Sequence, residues 1–182
     1  MSNRRAIAIS GKSGCGNTTV SSLVAGELSF TMINYTFRTL AKDLGLTFEQ
    51  LCRRAEEDDS YDRMLDQRQV ELASAQDCVL GSRLAIWLLE DADLKVYLYA
   101  SQETRAQRIM NREGSTLEEK LQETIERDRR DTERYKRIYG IDTREYQFAD
   151  LLIDTDVCDQ YEAARRIVEA FKEKLLSLVP GS

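Results

Sequence analysis

Residues 11–19, Gly11, Lys12, Ser13, Gly14, Cys15, Gly16, Asn17, Thr18 and Thr19, have the types and spacing to hold phosphate. A glycine, four residues and a second glycine let successive backbone N–H groups turn inward, and the helix that follows adds its positive end. Thr18 stands where such a loop presents a hydroxyl to Mg²⁺. The plainer alternative is a glycine turn joining a strand to a helix. The lysine that normally follows the second glycine is missing, and Asn17 occupies its place. An amide cannot supply that positive charge. Lys12, second in the loop, has a four-carbon stem able to fold back toward the same phosphate oxygens; otherwise it is a solvated surface lysine.

A second chemistry-bearing set lies far along the chain. Arg127, Asp131 and Arg134 are spaced i, i+4, i+7 and share one helical face, with Arg130 beside them. Arg105, Arg108 and Arg112 fall on the preceding helix. Forked guanidiniums around an in-line phosphoryl group are what phosphoryl transfer requires of a protein. The bland reading is a solvated helix laced with ion pairs, each worth only about 0.3–0.5 kcal/mol.

Composition removes other chemistries. The chain has no histidine, which excludes every mechanism built on an imidazole base. Cys15, Cys52, Cys78 and Cys158 are scattered without a paired motif, so they read as reduced structural thiols and not as a zinc site. Cys15, near a helix start, has a possible oxidation role as its minor reading. A net charge of −6 over 182 residues argues against a nucleic-acid binder acting through global positive charge. No apolar run reaches the roughly 20 residues that span a bilayer, and a cytoplasmic location is expected.

These residues need a scaffold, and the pattern supplies one. Apolar or β-branched runs at 5–10, 31–36, 77–82, 93–101 and 149–155 read as strands. Helical spacing follows at 18–28, 36–75, 83–92, 102–113, 116–140 and 159–178, with a Thr-x-x-Gln box at Thr47. Alternating strands and helices imply one α/β domain whose mostly parallel sheet is covered on both faces. Residues 36–75 read as a small helical insert. Trp87, Tyr97 and Tyr99 read as packing residues.

With the motifs in this order, the chain resembles cytidylate kinases, within the nucleoside monophosphate kinases, and in particular the compact archaeal and spirochaete type. The resemblance rests on the loop, on "FRTLA" (37–41), "DQRQVELA" (66–73), "SRLAIW" (82–87), "DADLKVYLYAS" (91–101), "RDRRDTERY" (127–135) and "YGID" (139–142). It implies a P-loop kinase fold with five strands, a monophosphate-binding insert at 36–75, and an arginine-rich lid with its following helix at 113–140. It also implies a monomer that moves the γ-phosphoryl group of ATP, with Mg²⁺, to CMP or dCMP, without nucleic-acid or membrane partners. By that resemblance Arg38 grips the acceptor phosphate, Arg68 and Arg83 approach the monophosphate and base, and Arg127, Asp131 and Arg134 complete the lid and acceptor group. Arg112 is the arginine best placed for the transferred phosphate. Besides Asn17, the chain departs where relatives carry an acid before the arginine: here Gly81 stands, with Ser82 a weak substitute. Those departures keep two alternatives, a catalytically impaired nucleotide-binding homologue and a kinase for another nucleotide or small hydroxyl acceptor.

Overall fold

The computed structural model describes residues 4–177. Leu178, the last residue of the expected C-terminal helix, and Pro180 lie outside the described residues. Five parallel strands, β1 (Ala6–Gly11), β2 (Thr31–Ile33), β3 (Cys78–Gly81), β4 (Leu94–Tyr99) and β5 (Leu151–Asp154), form one sheet in the order β2-β3-β1-β4-β5. The eight helices among the described residues are α1 (Asn17–Leu28), α2 (Phe37–Asp43), α3 (Phe48–Glu57), α4 (Ser60–Ser74), α5 (Ala85–Leu88), α6 (Gln102–Glu113), α7 (Leu117–Tyr139) and α8 (Gln160–Ser177).

β1 is buried at every position, yet its side chains still alternate. Ile7 and Ile9 pack with Val20 and Val24 of α1 and Ile167 and Phe171 of α8. Ala6 and Ala8 face the opposite layer, among Leu80, Ile86, Leu89 and Ala73. Small residues on that side let α5 approach closely, and buried Ser10 Oγ accepts from the Ile86 N–H at 3.1 Å. Tyr97 is buried, stacked on Tyr146 and edge-on to Trp87, as its packing role requires. Tyr99, at the end of β4, is 38% exposed, because burial along the strand runs out there.

Residues 36–75 fold as α2, α3 and α4 around a separate small core of Leu40, Ala41 and Leu51. The Thr47–Gln50 capping box starts α3 as its sequence requires, and a second box, Thr116–Glu119, starts α7. Gly140 in the left-handed conformation ends α7. β1 and β3 are neighbours whose carboxyl ends meet where the chain order reverses, which is where open α/β sheets place a ligand.

Candidate active site

The loop after β1 is built so that its carbonyls are taken up by the protein itself. Gly11 O accepts Asn17 Nδ2 at 2.6 Å, and Lys12 O accepts the Cys15 N–H at 3.1 Å. Ser13 O, Gly14 O and Cys15 O accept Arg105 Nη1 (3.3 Å), Arg108 Nη1 (3.2 Å) and Thr155 Oγ1 (3.3 Å). With these oxygens engaged, the N–H groups of the loop are what it has left to offer an anion. Gly14 and Gly16 hold φ of 86° and 96°, which L side chains rarely adopt. Thr36, Thr47, Ser101 and Thr116 cap α2, α3, α6 and α7 with their side chains, but no side chain caps α1 and no acid lies in its first turn. Its amino end is therefore open to an anion.

Asn17 is thus a clamp on the loop. Burial raises the thiol of Cys15 to about 11 despite Arg105 nearby, so it is a packed, inert sulfur and the oxidation role is removed. Gly81 likewise has a structural reason. A Cβ there would stand 2.3 Å from Ser21 Oγ and 2.8 Å from Ser21 Cβ, so α1 leaves no room for an acid. Ser82, next to it, lines the cleft with a buried Oγ that has no partner.

A cleft of about 640 Å³ runs from this loop to α4. Arg83, Asp131, Arg134, Arg112 and Arg108 line it together with Thr18 and Thr19. Arg83 pairs with Asp131, Arg134 with Asp62, and Arg112, 62% exposed, with Glu113. Burial raises the Asp131 and Asp62 carboxyls even though each faces an arginine. Arg127 donates to Ser13 Oγ at 3.1 Å and braces the loop from outside the cleft.

Besides Arg127, two further expected residues are not brought to the cleft. Arg68 lies on the outer side of α4, half exposed and paired with Glu71 at 3.1 Å. The cleft face of α4 is Asp62, Leu65, Asp66 and Gln69, and a residue one step from Gln69 is rotated about 100° away from it. Arg38 is exposed and stacks over the Phe48 ring at 4.2 Å instead of entering the cleft, to which the neighbouring Phe37 contributes.

Reasoning from sequence missed the acceptors opposite the arginines. Asp62, Asp66 and Gln69 carry the same i, i+4, i+7 spacing as Arg127, Asp131 and Arg134, and that repeat was the available signal. Tyr139 donates to Asp66 Oδ2 at 2.5 Å, and burial pushes Asp66 up to about 6. Gln69 donates Nε2 to Tyr35 O at 2.7 Å, and its buried Oε1 has no partner. Asp128, within the arginine-rich helix, receives both Lys12 and Arg105.

Among the described residues no three Asp, Glu, Cys or His side chains gather as a metal site. The hydroxyls of Thr18 and Ser82 beside an open phosphate loop still suit Mg²⁺, whose remaining ligands are water and phosphate oxygen. A phosphate loop and an arginine-lined cleft at the carboxyl edge of a parallel sheet define a phosphotransferase of the P-loop kinase fold. Solved structures agree on the fold: a shikimate kinase from Acinetobacter baumannii in complex with shikimate superposes with TM-score 0.64 at 21% identity, covering 98% of this chain and 97% of that one. A deoxyadenosine kinase from M. mycoides with bound dATP gives TM-score 0.55 at 18% identity, covering 92% and 99%.

Residues 6–157 match the model of the cytidylate kinase-like family, and the chain belongs to that family. It is 47% identical over 152 residues to cytidylate kinase 2 of Borreliella afzelii, covering 81% of this chain and 85% of the relative. It is 38% identical over 151 residues to a cytidylate kinase of Pyrococcus furiosus, covering 82% and 79%.

Proposed function

We propose that this protein transfers the γ-phosphoryl group of ATP to CMP or dCMP, giving ADP and the pyrimidine nucleoside diphosphate. The observation that carries the reading is the single cleft joining an uncapped phosphate loop to Arg83, Arg112 and Arg134 and then to α4. The donor triphosphate lies on residues 11–19, with their amides on its oxygens. Arg83 and Arg134 hold the acceptor monophosphate in line, and Arg112, the most exposed, closes on the group in transit. Thr18 and Ser82 would hold Mg²⁺, which when bound neutralises phosphate charge. Helices α2–α4 serve as the acceptor-binding unit, and residues 113–140, with α7, as the lid and its following helix. Arg38 keeps a place in this reading as a residue that turns inward from Phe48 when the acceptor phosphate arrives.

The base end supports an amino-bearing pyrimidine. Phe37 and Leu65 offer apolar faces, while Asp66 and Gln69 Oε1 supply acceptors matching the exocyclic N–H of cytosine, whereas uracil presents another acceptor there. No helix among the described residues is long and apolar enough to cross a membrane. A cytoplasmic monomer acting on small nucleotides completes the reading.

The test is ADP release from Mg·ATP with CMP, dCMP, UMP, AMP or no acceptor. Turnover with CMP and dCMP alone is expected. Saturable ATP binding with no turnover on any acceptor would replace the kinase by a nucleotide-binding homologue.

A further inference from the structure

Lys12, the one lysine of the loop, does not lie over it. Its Nζ is 3.1 Å from Asp128 Oδ2 on α7. The same carboxylate is gripped by Arg105, with Nη1 on Oδ1 at 3.1 Å and Nη2 on Oδ2 at 2.7 Å. One carboxylate therefore carries two cations, and they are unequal. The Arg105 side chain is 2% exposed and Lys12 36%. Removing Arg105 would strand a nearly buried acid, whereas removing Lys12 leaves Asp128 in a forked pair that already satisfies it. Lys12 is the partner free to leave.

It also has somewhere to go. Lys12 borders both the main cleft and a smaller cavity lined by Gly11, Asp128, Asp131 and Tyr135, so its stem stands at the junction of loop and α7. A terminal phosphate on the loop carries more negative charge than Asp128. It finds no cation at position 17, where the Asn17 amide is turned onto Gly11.

We infer that Asp128 is a positioning residue that holds Lys12 at the rim of the loop while the donor site is empty and surrenders it to the donor's terminal phosphates, Arg105 remaining behind. The inference rests on ATP being the donor. It makes Asp128 a competitor of the nucleotide for one lysine, so donor binding breaks one of the links tying α7 to the loop and leaves the Arg105 link intact.

The experiment titrates Mg²⁺ with the non-hydrolysable imido analogue of ATP into the wild type, Lys12→Ala, Asp128→Asn and the double variant. If Asp128 competes for Lys12, Asp128→Asn binds about threefold more tightly than wild type, the factor to which a weak, partly exposed ion pair converts. In the Lys12→Ala background the same change gives no gain. An Asp128 that merely supports the loop through Arg105 predicts weaker binding, by the same factor in both backgrounds, and that result overturns the inference. Should Asp128→Asn fail to fold, the structure of the wild-type complex decides. Lys12 Nζ on a terminal phosphate oxygen with Arg105 still on Asp128 supports the inference, and Lys12 still on Asp128 refutes it. A wild type that binds no analogue removes the donor reading and the inference with it, while tight wild-type binding that is indifferent to Lys12 removes the inference alone.

Discussion

Asp66 shows how a single carboxyl ties recognition to stability. Burial raises its pKa from 3.8 to about 6 against the lowering effect of the Tyr139 hydrogen bond. Because the folded-state value lies above the unfolded one, the native state favours the protonated form. Its contribution is fully favourable below about pH 4 and is lost as pH rises through about 6. At neutral pH the ionised group costs on the order of 3 kcal/mol. The cost is intelligible if the carboxylate is kept to accept a hydrogen bond from a base. Asp66→Asn is therefore expected to raise stability in urea melts at pH 7.5 by a few kcal/mol and to change it little at pH 4. Its kcat/KM for CMP should fall roughly tenfold, the worth of one charged hydrogen bond. An equal stability change at both pH values would show that Asp66 ionises normally in the fold. None of this is visible in the sequence, where Asp66 is one acid among 32 and its burial depends on Tyr139, which is far along the chain.

At the scale of the element, α4 and α7 face each other as matched helices. Arg134 meets Asp62, Arg137 meets Asp59 at 2.7 Å, and Arg63 donates to Ile138 O at 2.8 Å. The strands were legible because short apolar runs, ending at glycine in β1 and β3, alternate with helical segments, and α7 was legible because its arginines repeat at helical spacing. The cleft face of α4 was not. Arg68 drew attention as a charge, yet rotation about the helix axis sets it on the solvent side and Gln69 on the cleft. Spacing within one helix also says nothing about a partner 72 residues away, as Asp62 is from Arg134. The two arginines should accordingly behave differently. Arg68→Ala is expected to leave kcat and the KM for CMP within about twofold, as loss of an exposed ion pair does. Arg134→Ala should raise the KM for CMP by about tenfold or more, since it leaves the buried Asp62 carboxylate unpaired at the acceptor end. Steady-state kinetics of the two variants side by side test this, and a larger effect from Arg68 would restore that residue to the site.

The sheet carries a core on each face, and the insert has a third, smaller one. On one face of the sheet β1, β3 and β4 pack with α1 and α8, and on the other β1 and β3 pack with α5 and the end of α4, whereas α2, α3 and the start of α4 rest on Leu40, Ala41, Leu51 and the partly buried side chains around them. A fully buried large apolar side chain contributes about 1.5–3 kcal/mol, so the smaller unit has less to hold it closed and is the part that opens first. The end of α4 fastens it to the sheet through buried Ala73 with Val70 and Leu72, and polar links from α7 add to that. α7 reaches the phosphate loop through Arg127 and Asp128, the β3 end through Asp131, and α4 through Arg134 and Arg137. A donor on the loop and an acceptor against α4 would add attachments across the same cleft, so binding of the pair should order α2–α4 and α7 and leave the sheet unchanged. Hydrogen exchange is expected to be slow in β1, β3 and β4 with or without ligands. In α2, α3 and the start of α4 it should be fast in the free protein, and slower with the imido analogue of ATP and CMP together than with either alone. Uniform protection across sheet and insert would mean that the two open as one unit. The cleft would then be fully formed before any nucleotide enters, and the ion pairs along α7 would brace a rigid site and not a closing one.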